Sequence, residues 1–246
     1  MFKTTKGLVL REVRYKEADR ILTVLTQDEG KITAKARGAL RKSSRTAAAT
    51  QQLTWAEMTL FGNRGKWTVN EASVLEGFQG LREDIAAFAL GSYFAECLEA
   101  FAVEDQPDPE LLQLGLNSLY AVSQRLYPAE KVKAAFELRL AVLSGYSPAL
   151  DACAFCGKEQ PEDPILGLDT GGVCCRACRK AEFGNAARLD AESLEAMRYI
   201  VSAPAKRLFS FRLGKESGKL LAMAAEKYLQ SQAGRSFGTL AYYKQF

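Results

Sequence analysis

The chain contains no histidine among its 246 residues. That removes imidazole general bases, Ser/His and Cys/His nucleophile pairs, and every zinc site built on a His ligand. No apolar run approaches the roughly 20 residues that a membrane-spanning helix needs. The stretch Met1–Leu10 holds no apolar signal segment ahead of Arg11. A cytoplasmic protein with no membrane contact is therefore expected. Neither a Gly-x-x-x-x-Gly-Lys-Ser/Thr loop nor a Gly-x-Gly-x-x-Gly turn occurs, so the common phosphate cradles are missing. Acid pairs such as Glu83/Asp84 and Glu162/Asp163 read as helix-start and loop charge. The expectation is a protein that is not an enzyme. Internal repeats and long low-complexity linkers are also lacking.

What the chain does have is a lopsided charge. Residues 1–50 carry twelve Lys/Arg against five Asp/Glu, an excess of +7 in a chain whose total is only +4. An anionic partner should meet the N-terminal fifth. The excess concentrates in Lys31–Arg45, fifteen residues with six basic side chains and no acidic one. Its first seven alternate, so as a strand Lys31, Thr33, Lys35 and Arg37 share one face while Ile32, Ala34 and Ala36 share the other. After Gly38 the alternation stops, and Arg41, Lys42 and Arg45 follow in a Ser-rich loop expected to be flexible. Such a surface suits a phosphate backbone. A solvated edge strand, whose lysines block unwanted pairing, has the same composition.

Residues 1–78 read as β-structure. Gly7–Val13, Arg20–Thr26, Lys31–Arg37, Leu53–Phe61 and Lys66–Leu75 are the candidate strands, with Gln27–Gly30 and Gly62–Gly65 as turns. Five strands without a confident helix suit a small barrel, and the OB-fold is the common five-stranded barrel that binds nucleic acid. An SH3-like barrel would give a similar pattern. Trp55 and Trp67 are expected in the barrel core. Exposed beside the basic face, a Trp or Tyr15 could stack a base.

From about residue 80 the period becomes helical. Leu81–Val103 brings Ile85, Phe88, Tyr93, Phe94, Leu98 and Phe101 toward one stripe. Asp108 and Pro109 form an N-cap and first-turn pair for a helix reaching Leu126. Pro128 opens another, ending near Gly145. Asp190 caps a fourth with Leu194, Met197 and Ile200 inward, and Glu216–Gln230 makes a fifth with Leu220, Met223 and Leu229. A helical bundle needs no cofactor to explain it.

Cys153-Ala-Phe-Cys156 and Cys175-Arg-Ala-Cys178 have the spacing of a four-cysteine zinc site. Two intervening residues let both thiolates of a pair reach one ion. Four protein ligands close the site, which makes it structural. Cys174 could take the place of Cys175, although the symmetrical gap favours Cys175. An insertion of this size has little core of its own, so the metal would largely fold it. Cys97 reads as a small core residue.

Gly7-Leu-Val-Leu-Arg11, Tyr15-Lys-Glu-Ala-Asp-Arg-Ile-Leu-Thr23, Asp28-Glu-Gly30, Lys35-Ala-Arg-Gly38 and Arg41-Lys-Ser-Ser-Arg45 resemble the beginning of the bacterial RecO DNA repair family. The cysteine motif, placed among helices after a small barrel, resembles it too. The resemblance implies an α+β protein: an N-terminal five-stranded OB-fold nucleic-acid-binding domain at 1–78, then an α-helical domain at 79–246 with a four-cysteine zinc knuckle inserted at about 150–182. It also implies a recombination mediator that binds single- and double-stranded DNA and anneals complementary strands. Such proteins act with RecR and with the acidic tail of single-stranded-DNA-binding protein, and help to load RecA. Zinc does not occur throughout the family, so the metal expectation rests on the spacing of Cys153, Cys156, Cys175 and Cys178.

The DNA contacts are assigned to Lys31, Lys35, Arg37, Arg41, Lys42 and Arg45. Lys3, Lys6, Arg11, Arg14, Lys16 and Arg20 are weaker candidates, because Glu12, Glu17 or Asp19 can neutralise some of them. The alternatives are a zinc-ribbon adaptor for RNA or transcription, and a structural adaptor whose basic loop meets an acidic protein.

Overall fold

The computed structural model describes residues 1–63 and 66–246. By its contacts the chain divides into two compact units, Met1–Gln124 together with Phe237–Phe246, and Arg125–Ser236.

The first unit is built on a closed barrel of β1 (Phe2–Tyr15), β2 (Asp19–Thr26), β3 (Gly30–Ala36), β4 (Trp55–Asn63) and β5 (Lys66–Glu76), ordered β1-β2-β3-β5-β4. All pairs are antiparallel except β3 with β5. This is the OB-fold arrangement. Closure depends on β1 serving two partners: Phe2–Leu8 pair with Phe61–Trp55, and Gly7–Tyr15 pair with Thr26–Asp19. A register shift between Val9 and Arg11 supplies the bend. Inward side chains such as Val9, Leu22, Val24, Ile32, Met58 and Leu60 form the barrel core.

Leu8 and Leu10 point outward yet are 0% and 1% exposed, because helices cover this side. α1 (Gln79–Arg82), α2 (Ile85–Phe101) and α3 (Pro109–Ser123) follow the barrel. Gly115 of α3 lies so close to Leu98 of α2 and Leu8 of β1 that an added Cβ would meet Leu98 Cδ1 at 2.7 Å. At the β2–β3 turn, Gly30 has φ +67°, and a Cβ there would lie 2.3 Å from the Gln106 carbonyl oxygen. Only glycine fits that approach.

Several sequence expectations are corrected here. The helix expected over Leu81–Val103 breaks at Asp84, whose extended backbone and carboxylate cap α2 by accepting from the Ala86 and Ala87 N–H groups at 2.9 and 3.2 Å. Ile85, at the start of α2, is exposed and not part of the buried stripe. Trp55 lies on the outward side of β4 with Phe61, while Ala56, Met58 and Leu60 fill the core, so Trp55 is only half-buried. Trp67 does pack against the core, over Gly62. The Gly62–Gly65 turn falls on Arg64 and Gly65, which lie outside the described residues. A short α7 (Gly238–Tyr243) goes unseen in the sequence pattern; the Glu96 carboxylate holds its start by accepting from the N–H groups of Gly238 and Thr239 at 3.4 and 3.0 Å.

The second unit contains α4 (Ala129–Leu143), α5 (Ala191–Ser202), α6 (Lys215–Ala233) and a small sheet of β6 (Pro164–Gly167), β7 (Val173–Cys175) and β8 (Ala186–Arg188), ordered β7-β6-β8. Asp190 caps α5 in a reciprocal capping box with Ser193. α6 turns Leu221, Ala224, Ala225, Tyr228 and Leu229 inward, leaving Met223 exposed, contrary to expectation.

Between α4 and α6 sits a buried ion-pair triad. Lys133 Nζ lies 2.7 Å from both Glu137 and Glu226, and Glu137 is fully buried. Burial opposes the Lys133 charge, but the two carboxylates outweigh it and raise its pKa. Lys133→Met removes the ammonium that both carboxylates contact. It should destabilise the protein by about 3–5 kcal/mol in chemical denaturation, and adding Glu137→Leu should recover a large part of the loss.

Candidate nucleic-acid interface and metal centre

On the barrel's outer side the register lines up three cross-strand rows. Arg11, Thr23 and Thr33 form one, and Val13, Ile21 and Lys35 the next. Tyr15 and Asp19 begin the third, which reaches the backbone just past the Arg20–Ala36 pair, where Arg37 follows. β3 alternates as its sequence implies: Ile32, Ala34 and Ala36 are buried while Lys31, Thr33, Lys35 and Arg37 face outward.

The six basic residues do not share one environment. Lys31 lies by the C-terminal part of α2 and donates from Nζ to the Glu99 carbonyl at 2.9 Å. Lys35 pairs with Asp19 Oδ2 at 2.9 Å and lies 4.9 Å from the centre of the Tyr15 ring. Arg37, Arg41 and Lys42 are exposed. Arg45, also exposed, lines a surface groove of about 540 Å³ with Glu57, Thr59, Asn70 and Glu71, so its neighbours include carboxylates on β4 and β5. Among the weaker candidates, Lys3 pairs with Glu29 at 2.6 Å, Arg11 with Glu99 at 2.8 Å and Arg20 with Glu12 at 3.3 Å. Lys6, Arg14 and Lys16 are exposed.

Asp19 organises this end of the barrel. One carboxylate oxygen accepts from the Gly38 N–H at 2.8 Å while the other holds the Lys35 ammonium. The Lys35 hydrogen bond, then that of Gly38, keep the Asp19 carboxyl below its ordinary pKa. The loop after β3, expected to be flexible, is tied down. Leu40 N–H donates to Ala18 O, Arg20 donates to Ala47 O and Thr50 Oγ1, and Ala39 and Ala49 enter the barrel core. The signals were Ala39 and the Ala47–Ala49 run at the two ends of the loop, and Asp19, whose partner lies sixteen residues away.

The second cluster is cysteine. The Sγ atoms of Cys153, Cys156, Cys175 and Cys178 all lie within 4.8 Å of one another, and Cys156 and Cys175 are 3.9 Å apart. A metal with four Zn–S-like bonds of about 2.3 Å spaces its sulfurs by about 3.8 Å, whereas a disulfide would need about 2.05 Å. The donor set thus fits a structural metal. The first pair sits in a tight turn: the Cys153 carbonyl accepts from Gly157 N–H, the Cys153 N–H donates to Lys158 O, and Gly157 takes φ +71°. Cys175 ends β7, and a 3-10 turn over Arg176–Cys178 brings Cys178 back. Cys174 is fully buried in a small core with Ile165 and Phe183 and is not among the four clustered sulfurs. That small core, under the β6–β8 sheet, is more than the sequence suggested for the insertion.

Burial alone would raise the Cys153 thiol. The amide N–H groups of Cys156, Cys175 and Phe155 outweigh it and bring the pKa down to about 6. Cys178 is driven to about 12, first by its hydrogen bond with Cys156 and then by burial and nearby sulfur charge. One thiolate is favoured and further ones repel, which is the imbalance a bound cation removes.

Fold and clusters together define a class: an OB-fold barrel with a cationic outer end, followed by helices that carry a cluster of four cysteines compatible with a structural metal. Residues 1–78 match the family model "Recombination protein O N terminal", and residues 82–241 match "Recombination protein O C terminal". A protein from Acetivibrio thermocellus called DNA repair protein RecO is 31% identical over 240 residues, covering 98% of this chain and 95% of the relative. The protein of that name from Symbiobacterium thermophilum is 33% identical, covering 93% and 91%. One from Caldicellulosiruptor saccharolyticus is 26% identical, covering 99% and 98%. The chain belongs to the RecO family. Among the described residues, no helix is long and apolar enough to cross a membrane.

Replacing Cys156 or Cys175 by Ser should lower bound metal from about one ion per chain to near none by elemental analysis. Cys174→Ser should keep the metal, because its side chain serves the small core. Loss of metal in the Cys174 variant alone would reverse the ligand assignment.

Proposed function

We propose that this chain is a non-enzymatic DNA-binding recombination mediator in DNA repair, working in the cytoplasm. It binds single- and double-stranded DNA through the barrel domain at 1–78 and anneals complementary strands. Acting with RecR, it helps to load RecA on strands coated by single-stranded-DNA-binding protein. The helical domain at 79–246 carries the knuckle at about 150–182, where Cys153, Cys156, Cys175 and Cys178 hold a structural zinc ion. When bound, that ion would neutralise the thiolates and tie the two Cys-x-x-Cys turns together.

The observation that carries the reading is the cationic end of the barrel, where Lys35, Arg37, Arg41 and Lys42 gather on and after β3. Family membership supports it, since the relatives are named as DNA repair proteins. Annealing breaks and makes no covalent bond. It requires that phosphate repulsion be neutralised while bases stay free to pair, which Lys and Arg side chains supply. In this reading Lys35, Arg37, Arg41 and Lys42 are the main backbone contacts. Lys31, held by the Glu99 carbonyl, and Arg45, beside Glu57 and Glu71, lie at its margins.

Charge reversal at Lys35, Arg37 and Arg41 should weaken binding to either strand form by about a hundredfold or more. It should also flatten the slope of log K against log salt by about 2–3. Annealing of complementary strands coated with their binding protein should fall in parallel. Unchanged affinity and slope in a folded variant would overturn the assignment. Salt-dependent binding without any annealing would favour an RNA or transcription adaptor.

A further inference from the structure

A phosphate grip without an aromatic leaves the bases unattended, and the described aromatics are not equally placed to serve them. Trp67 lies against the core with Gly62 beneath its ring. Trp55 is half-buried on β4, opposite Glu76 and on the same outward side as Glu57, where phosphate is repelled. Phe2 and Phe61 pack on each other, 5.1 Å between ring centres, at the other end of β1 from the cationic rows. Tyr15 differs. It ends β1 on the cationic side, is 43% exposed and stands beside Val13, itself 47% exposed. Its cross-strand partner is Asp19, the residue that anchors Lys35 and Gly38.

Two ammonium groups attend the ring: Lys35 Nζ at 4.9 Å and Lys16 Nζ at 5.6 Å from its centre. They are not equivalent. Lys35 is held by Asp19 at 2.9 Å. Lys16 is exposed in the β1–β2 turn, with φ +55°. A cation–π contact at an exposed site is weak, whereas a base stacked on an aromatic ring contributes more. Lys35 is thereby a fixed support for the ring, and Lys16 a contact that can be exchanged.

We propose that Tyr15 is a base-stacking residue for single-stranded DNA, and that Lys16 leaves the ring for a phosphate when a base arrives. The inference rests on the DNA-binding reading above and adds to it a point that distinguishes single strands from duplex, whose bases are already stacked on one another. Val13 and Tyr15 form the apolar floor; Lys16 lies on the turn side, and Lys35 and Arg37 lie across β2. The ring touches a base through its π face, which every base has, so the contact should be tolerant of sequence.

The test measures binding of the full-length protein to three probes: a single strand, the same strand with abasic sites, and a duplex. Tyr15→Ala should weaken binding to the base-bearing strand roughly 5- to 150-fold. It should leave the abasic strand and the duplex within about twofold, and Tyr15→Phe should behave as wild type. A 2-aminopurine in the strand should lose fluorescence on binding wild-type protein and recover it with Tyr15→Ala. Lys16→Ala should lower the single-strand salt slope by about 0.7, the contribution of one phosphate. Equal losses on abasic and base-bearing strands, in a Tyr15→Ala protein with unchanged thermal melting, would overturn the stacking role while leaving DNA binding intact. An unchanged salt slope in Lys16→Ala would overturn the exchange. If wild-type protein bound none of the three probes, the DNA-binding reading would fail and this inference with it.

Discussion

β1 is the strand on which the first unit depends, because it hydrogen-bonds to β4 along its first half and to β2 along its second. A single straight strand cannot turn between two neighbours in this way. The shift at Val9–Arg11 lets it bend, and the sheet closes through the short parallel pairing of β3 with β5. Leu8 and Leu10 lie on the outside around the bend and are buried, Leu8 close to Gly115 of α3. Beyond the bend the outer side is open and carries Val13, Tyr15, Lys35 and Arg37. One strand thus has a covered half, which gives stability, and an open half, which gives a surface.

Charge is distributed around the barrel in the same uneven way. Lys35, Arg37, Arg41 and Lys42 belong to β3 and the loop that follows, while Glu57, Glu71 and Glu76 belong to β4 and β5. In the proposed reading this asymmetry would draw an anionic strand to one side and repel it from the other, orienting it without reading its sequence. Asp19 lies within the cationic side and offsets the charge of Lys35, so the excess rests on Arg37, Arg41 and Lys42. Its carboxylate is occupied by Lys35 and the Gly38 amide, and what it provides is position.

The cysteine cluster follows a comparable logic in the second unit. Two short turns present the thiols, and backbone N–H groups aimed at Cys153 favour its thiolate before any cation is considered. The β6–β8 sheet and the small core of Ile165, Cys174 and Phe183 hold the turns against each other. Alternation along β7 is what separates Cys174 from Cys175, sending one side chain into the core and the other to the cluster.

Much of this was legible locally. Strand periodicity, the Asp108 and Asp190 caps and the Cys-x-x-Cys spacing each depend on residues a few positions apart, so the amino-acid order alone determined them. Other features needed partners far along the chain. The sequence pattern does not say that Trp55 faces outward, because an apolar side chain on a strand suits either side until the barrel closes. The loop bearing Arg41 and Lys42 reads as flexible because its anchors, Asp19, Ala18 and Arg20, come from the β1–β2 turn and β2. Lys31 and Lys35 are indistinguishable by pattern, yet one ammonium rests on the Glu99 carbonyl and the other on Asp19. Local order determined which residues share a face; only tertiary structure decided which part of that face is covered, because covering a surface takes contacts between residues that the chain itself keeps far apart.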